Sequence, residues 1–171
     1  MNSTAAGPDH PSTKRKKTLI LGIGNVLMGD EGVGVHTIRA LESKNFPERI
    51  DVVDGGTGGF HLLSYFHDFD PIILIDATMD GKPAGTLSLL KPKFASDFPR
   101  SLSAHDIGLR DLVETAALTS KYPEIFLITC SIAKIRSMVM ELSQPVKNAI
   151  PGIAAMVQEI LDSLTPVEKE R

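Results

Sequence analysis

From Lys17 onward, short apolar runs alternate with stretches whose apolar residues recur every three or four positions. Residues 18–23, 50–53, 72–76, 86–90 and 125–129 have the length and β-branched content of strands bounded by turn residues. Residues 32–43 offer Val33, Val35, Ile38 and Leu41 for packing and read as a helix. Residues 60–67 and 109–117 read as two more. Near the end, Ile150, Ile153, Ala154, Val157, Ile160, Leu161 and Leu164 make an apolar stripe at helical spacing. Pro151 is expected to start or kink that helix. Strands alternating with helices predict an α/β domain with a largely parallel sheet. Residues 1–16, rich in Ser, Thr, Pro and Gly without apolar periodicity, read as a flexible N-terminal tail, which leaves 17–171 as a single domain.

Composition narrows the function class. The 171 residues are 42% hydrophobic and 23% charged with net charge −3, ordinary usage for a domain with its own core and without the basic balance of a nucleic-acid binder. No apolar run approaches a membrane span, and 18–23 lacks the cleavage pattern of a signal sequence. The expectation is a cytoplasmic protein, monomeric, with neither nucleic acid nor membrane insertion among its partners. The single cysteine, Cys130, excludes an internal disulfide and a Cys-rich zinc site.

Candidate chemistry gathers after the strands. Gly22-Ile23-Gly24-Asn25 and Gly29-Asp30-Glu31-Gly32-Val33-Gly34 follow the first, where open α/β sheets bind ligands. The segment begins like a dinucleotide fingerprint, but Leu27 stands where the third glycine belongs, and no Gly-Lys-Ser/Thr cradle occurs. Two adjacent acids remain. Asp30 is suited to cap the following helix, which leaves Glu31 for either the helix dipole or chemistry. Asp54-Gly55-Gly56-Thr57-Gly58-Gly59 follows the second strand as a turn or as a place where backbone approaches a ligand. Asp76 ends the most apolar strand, where a carboxylate needs a hydrogen bond, a partner charge or a cation. His105 lies before a helix that Ser103 or Asp106 could cap. Glu31, Asp76 and His105 are all expected on loops at one sheet edge. Two carboxylates and an imidazole suit zinc or nickel with coordination positions open, able to polarise a carbonyl and activate water. As ligands of an open site they are expected to be exposed. No Gly-x-Ser-x-Gly or His-Glu-x-x-His motif occurs, and Cys130 reads as an inert buried thiol.

The block at residues 22–34, followed by Asp54-Gly55-Gly56-Thr57, Ile75-Asp76-Ala77 and His105-Asp106-Ile107-Gly108-Leu109, resembles the maturation endopeptidases of nickel–iron hydrogenases. The resemblance runs from residue 17 to about 164. It implies a three-layer sandwich, a mainly parallel twisted sheet with helices on both faces. It also implies an endopeptidase that removes the C-terminal extension of a hydrogenase large-subunit precursor after nickel insertion. The family's metal-contacting and catalytic residues fall on Glu31, Asp76 and His105, and its substrate-recognition segment on Asp54, Gly55, Gly56 and Thr57. The implied metal is nickel, carried by the substrate, with zinc or another divalent cation able to substitute in vitro. The mechanism divides between a grip on that nickel and an acid acting as general base on water, in aspartic-protease fashion. Many members carry a Gly-x-x-Pro-Glu-like stretch where this chain has Cys130-Ser131-Ile132-Ala133-Lys134-Ile135-Arg136. The rival readings are a non-catalytic nickel-binding chaperone of the same precursor, which would leave precursor length unchanged, and a nucleotide enzyme, which would need the phosphate cradle that is missing.

Overall fold

Five strands form one sheet: β1 (Lys17–Gly22), β2 (Ile50–Asp54), β3 (Phe69–Thr78), β4 (Leu87–Leu90) and β5 (Ile125–Ser131), in the spatial order β2-β1-β3-β5-β4. β1, β2, β3 and β5 run parallel, and β4 pairs antiparallel with β5 at one edge. The computed structural model describes residues 16–99, 109–119 and 122–165. The tail expected over 1–16 therefore lies, apart from Lys16, outside the described residues.

Strand alternation divides the core in two. Ile20, Ile73, Ile75, Phe126 and Ile128 face α1 (Val33–Leu41) and α4 (Gln144–Leu164). Leu19, Leu21, Ile72, Leu74 and Leu127 face α2 (Leu63–Asp68) and α3 (Leu109–Thr119). Because successive strand side chains point to opposite faces and both faces are covered, β3 and β5 carry continuous apolar runs, residues 72–75 and 125–128, rather than alternating. The result is the three-layer α/β sandwich with a mostly parallel sheet that the resemblance implied.

Two helix boundaries differ from the sequence reading. The helix expected at 32–43 spans Val33–Leu41 and is preceded by a separate 3₁₀ turn, Gly29–Gly32, which carries Glu31. Pro151 does not start the last helix. That helix begins seven residues earlier at Gln144, after Ser143 in extended conformation and with a proline in its first turn. Pro145 needs no hydrogen-bonding N–H there, whereas Pro151 is carried within the helix, between buried Ala149 and Ile153.

Parallel strands align their carboxyl ends. The segments after Gly22, Asp54, Thr78 and Ser131 therefore emerge at one edge, and that edge holds the candidate chemistry.

Candidate functional site

The glycines of the first motif are explained by close packing. A β-carbon on Gly22 would collide with the Gly34 carbonyl and the Ile38 side chain, and one on Gly34 with the carbonyls of Ile23 and Ile75. The start of α1 thus rests directly on the ends of β1 and β3. Gly24, at φ +155°, would likewise drive a β-carbon into the Glu31 carbonyl. Ile23 donates its N–H to Ile75 O at 2.9 Å, and Gly24 donates to Gly56 O at 2.8 Å. Through these contacts the Gly29–Gly32 turn is pressed against the carboxyl end of β3, the strand that carries Asp76.

Both acids are buried. Glu31 is 2% exposed and Asp76 is fully enclosed. This corrects the expectation of solvent-facing ligands: Glu31 is buried within the Gly29–Gly32 turn, and Asp76 is still inside the strand, paired in register with Thr129. Asp76 Oδ1 accepts the Ala77 N–H at 2.8 Å. By strand parity Asp76 shares the face of Ile72 and Leu74, the face covered by α2 and α3.

Asp30 does not cap the helix. The Gly29–Gly32 turn has no side-chain cap, and the Asp30 carboxylate, 3% exposed, reaches instead to the start of α4. It accepts the Ser143 N–H at 2.5 Å and the Ser143 hydroxyl at 2.7 Å, with the Arg136 guanidinium 3.9 Å away. This clasp joins residues 113 apart in sequence and fastens the turn that holds Glu31. No local pattern around Asp30 announces Ser143, so sequence reasoning missed it. Asp30→Ala strands the two Ser143 donors at a buried carboxylate site, and chemical denaturation should show a loss of about 3 kcal/mol. Asp30→Asn, which keeps one acceptor oxygen, should lose less.

Asp54 is exposed at the end of β2, and its Oδ1 accepts the Gly56 N–H at 2.8 Å, so it shapes the glycine turn. Gly55 is closed in against Leu21 and the Gly22 carbonyl, while Thr57 faces solvent. His105 lies outside the described residues; α3 begins four residues after it, at Leu109. Among the described residues, no three His, Cys, Asp or Glu side chains are grouped so as to hold a metal ion. Glu31 and Asp76 thus share an edge, and a three-donor metal site needs a further ligand such as His105.

Comparison with known proteins fixes the family. The model of a hydrogenase maturation protease family matches residues 35–162. The chain is 29% identical over 157 residues to the hydrogenase 2 maturation protease of Escherichia coli K12, covering 90% of this chain and 92% of that one. It is 35% identical to the hydrogenase expression/formation protein HupM of Azotobacter chroococcum, over 80% of this chain and 68% of the relative. The chain belongs to the hydrogenase maturation protease family. It also superposes on the hydrogenase maturating endopeptidase HybD from E. coli with a TM-score of 0.78 and 28% identity, covering 86% of this chain and 93% of that one.

This maturation protease is therefore an endopeptidase, and its groups can be sorted accordingly. Asp76 and His105 lie within the matched span, while Glu31 lies four residues before it. Cys130 is fully buried, and burial, then the Asp30 carboxylate, push its thiol up to about 11. A thiol so raised is protonated at neutral pH and is a poor nucleophile. His36 in α1 is held below the usual imidazole range, first by burial and then by the Arg39 charge. It is therefore a neutral ring at physiological pH.

Proposed function

We propose that this endopeptidase removes the C-terminal extension of a nickel–iron hydrogenase large-subunit precursor after nickel insertion, with Glu31, Asp76 and His105 contacting the substrate's nickel. The observation that carries the reading is the placement of Glu31 and Asp76 at the carboxyl edge of the sheet, in a chain of the hydrogenase maturation protease family. Carboxylates are rarely enclosed unless hydrogen-bonded or given a partner charge, and ligands of open α/β sheets bind at the carboxyl ends of the strands. Two carboxylates and one imidazole form a hard-to-borderline donor set suited to a divalent transition metal. The exposed Asp54 and Thr57 offer short polar side chains at the same edge, on a turn whose Gly55 and Gly56 backbone groups are bonded within the protein and so hold its shape.

The chain's own residues divide the labour. Glu31, Asp76 and His105 bind the ion that the precursor carries and so fix the register of the cut. The Asp54-Gly55-Gly56-Thr57 turn holds the peptide beside it. The Asp30–Ser143 clasp keeps the Glu31 turn in place. Binding through the substrate's metal makes cleavage conditional on prior insertion.

The test is incubation with nickel-loaded and nickel-free precursor, read by product mass. The expected result is a single shortened product from the loaded precursor alone. Equal cleavage of the metal-free precursor would remove the metal-contacting role and favour an acid acting on water. Binding with no change in precursor length would make the protein a chaperone.

A further inference from the structure

Eight large apolar side chains are strongly exposed among the described residues, and five stand on the carboxyl edge. They are Leu27 after β1, Phe60 after β2, Met79 after β3, and Met138 and Met140 after β5. Scattered apolar residues are normal on a protein surface, whereas concentration at one edge calls for a reason.

The segment carrying the two later methionines is held firmly. Met28 and Val139 form a parallel bridge, Gly29 donates to Val139 O at 2.6 Å, and Val139 donates to Leu27 O at 3.3 Å. The Arg136 guanidinium donates to Glu141 O at 3.0 Å, and the His36 imidazole bonds the Met140 backbone. Met28 and Val139, which form the bridge, are half-buried, while their neighbours Leu27 and Met140 are exposed. Met138, 83% exposed, has φ +60°, the one non-glycine residue with positive φ among the described residues. A left-handed backbone disfavours a side chain with a β-carbon, and such outliers gather at functional sites. The fold therefore holds a methionine in solvent where a glycine would fit better, on a segment fastened two residues from Glu31.

We infer that Leu27, Met138 and Met140 form a lip that binds apolar side chains of the extended polypeptide substrate beside the bond to be cut. The inference rests on the precursor-cleaving reading above. An endopeptidase must hold chain flanking its site, and this lip is continuous with the Glu31 turn. Methionine, unbranched and polarisable, adapts to varied apolar partners.

The experiment compares Met138→Ser/Met140→Ser and Leu27→Ser with the unaltered protein, using the nickel-loaded precursor. Equilibrium binding and steady-state cleavage are read in parallel with thermal unfolding. The double variant should raise Kd and KM about tenfold or more, the scale of losing two apolar contacts, with kcat within about twofold. Its melting midpoint should be unchanged. Met138→Gly should melt at the same or a higher temperature and still weaken binding, since it relieves the backbone while removing the contact. Unaltered Kd and KM in the double variant would overturn the lip. So would a shift from dimer to monomer at unchanged Kd, which would show that a second copy covers this face. If even the unaltered protein binds the precursor without cleaving it, weaker binding by the double variant upholds the lip and removes only the cleavage reading.

Discussion

Glu31→Gln and Asp76→Asn should each cut precursor processing by about 10²–10⁴-fold, the range expected when a group acting directly on the reaction is lost. His105→Ala should do the same. Because Glu31 and Asp76 are buried, the isosteric amides are the informative replacements: alanine would add a void to the loss of charge. Asn at 76 can still accept the Ala77 N–H that Asp76 Oδ1 now holds. Folding should therefore survive, with a melting midpoint unchanged or raised, since active-site charges are commonly held at a cost in stability. Processing is read by product mass and folding by circular dichroism. Full processing by either folded amide variant would remove that acid from the site.

The largest stability effect is expected at Gly34. Helix propensity alone predicts that Gly34→Ala stabilises α1 by about 1 kcal/mol. The structure predicts the opposite sign. The added methyl would meet two backbone carbonyls, Ile23 and Ile75, and backbone cannot rotate away as a side chain can. Overpacking of this kind costs about 3 kcal/mol or more, a fall of roughly 10 °C in melting midpoint for a chain of this size. Gly152→Ala in α4 is the control. Its methyl would meet only the end of the Leu87 side chain, at 3.0 Å, and that end can move. The control should be unchanged or gain up to about 1 kcal/mol from helix propensity, less what moving Leu87 costs. Similar losses for both would show that Gly34 is not a seat for the helix.

The two experiments probe one arrangement. If the α1 start were lifted from the sheet, the Gly29–Gly32 turn would lift with it, so a folded Gly34→Ala protein should also process poorly. The Asp30 clasp is the second restraint on that turn, from the α4 side.

Much of this was legible in the sequence because it depends on local pattern. All five strands were placed within a few residues of their ends, the buried parallel ones because such strands are short, continuous apolar runs. The α/β alternation implied the sheet, and a parallel sheet gathers the segments after its strands at one edge. Glu31, Asp76 and His105 were thereby assigned to one edge from residue order alone; Glu31 and Asp76 are found there, and His105 lies outside the described residues. The motif series also pointed to the family that the comparisons then showed.

Tertiary structure decided the rest, because it depends on pairs of residues distant in the chain. Asp30 read as a helix cap, since an acid beside a helix start has that role by default. Its actual partner, Ser143, lies 113 residues away. The glycines read as a failed phosphate loop until their missing β-carbons proved to be the spaces filled by the carbonyls of Ile23, Glu31, Gly34 and Ile75. The burial of Glu31 and Asp76 was equally hidden. Hydropathy reports what a residue prefers, while exposure is set by which segments fold over it. At this edge a glycine-seated turn and a covered strand end enclose two carboxylates that the chain's pattern placed on open loops.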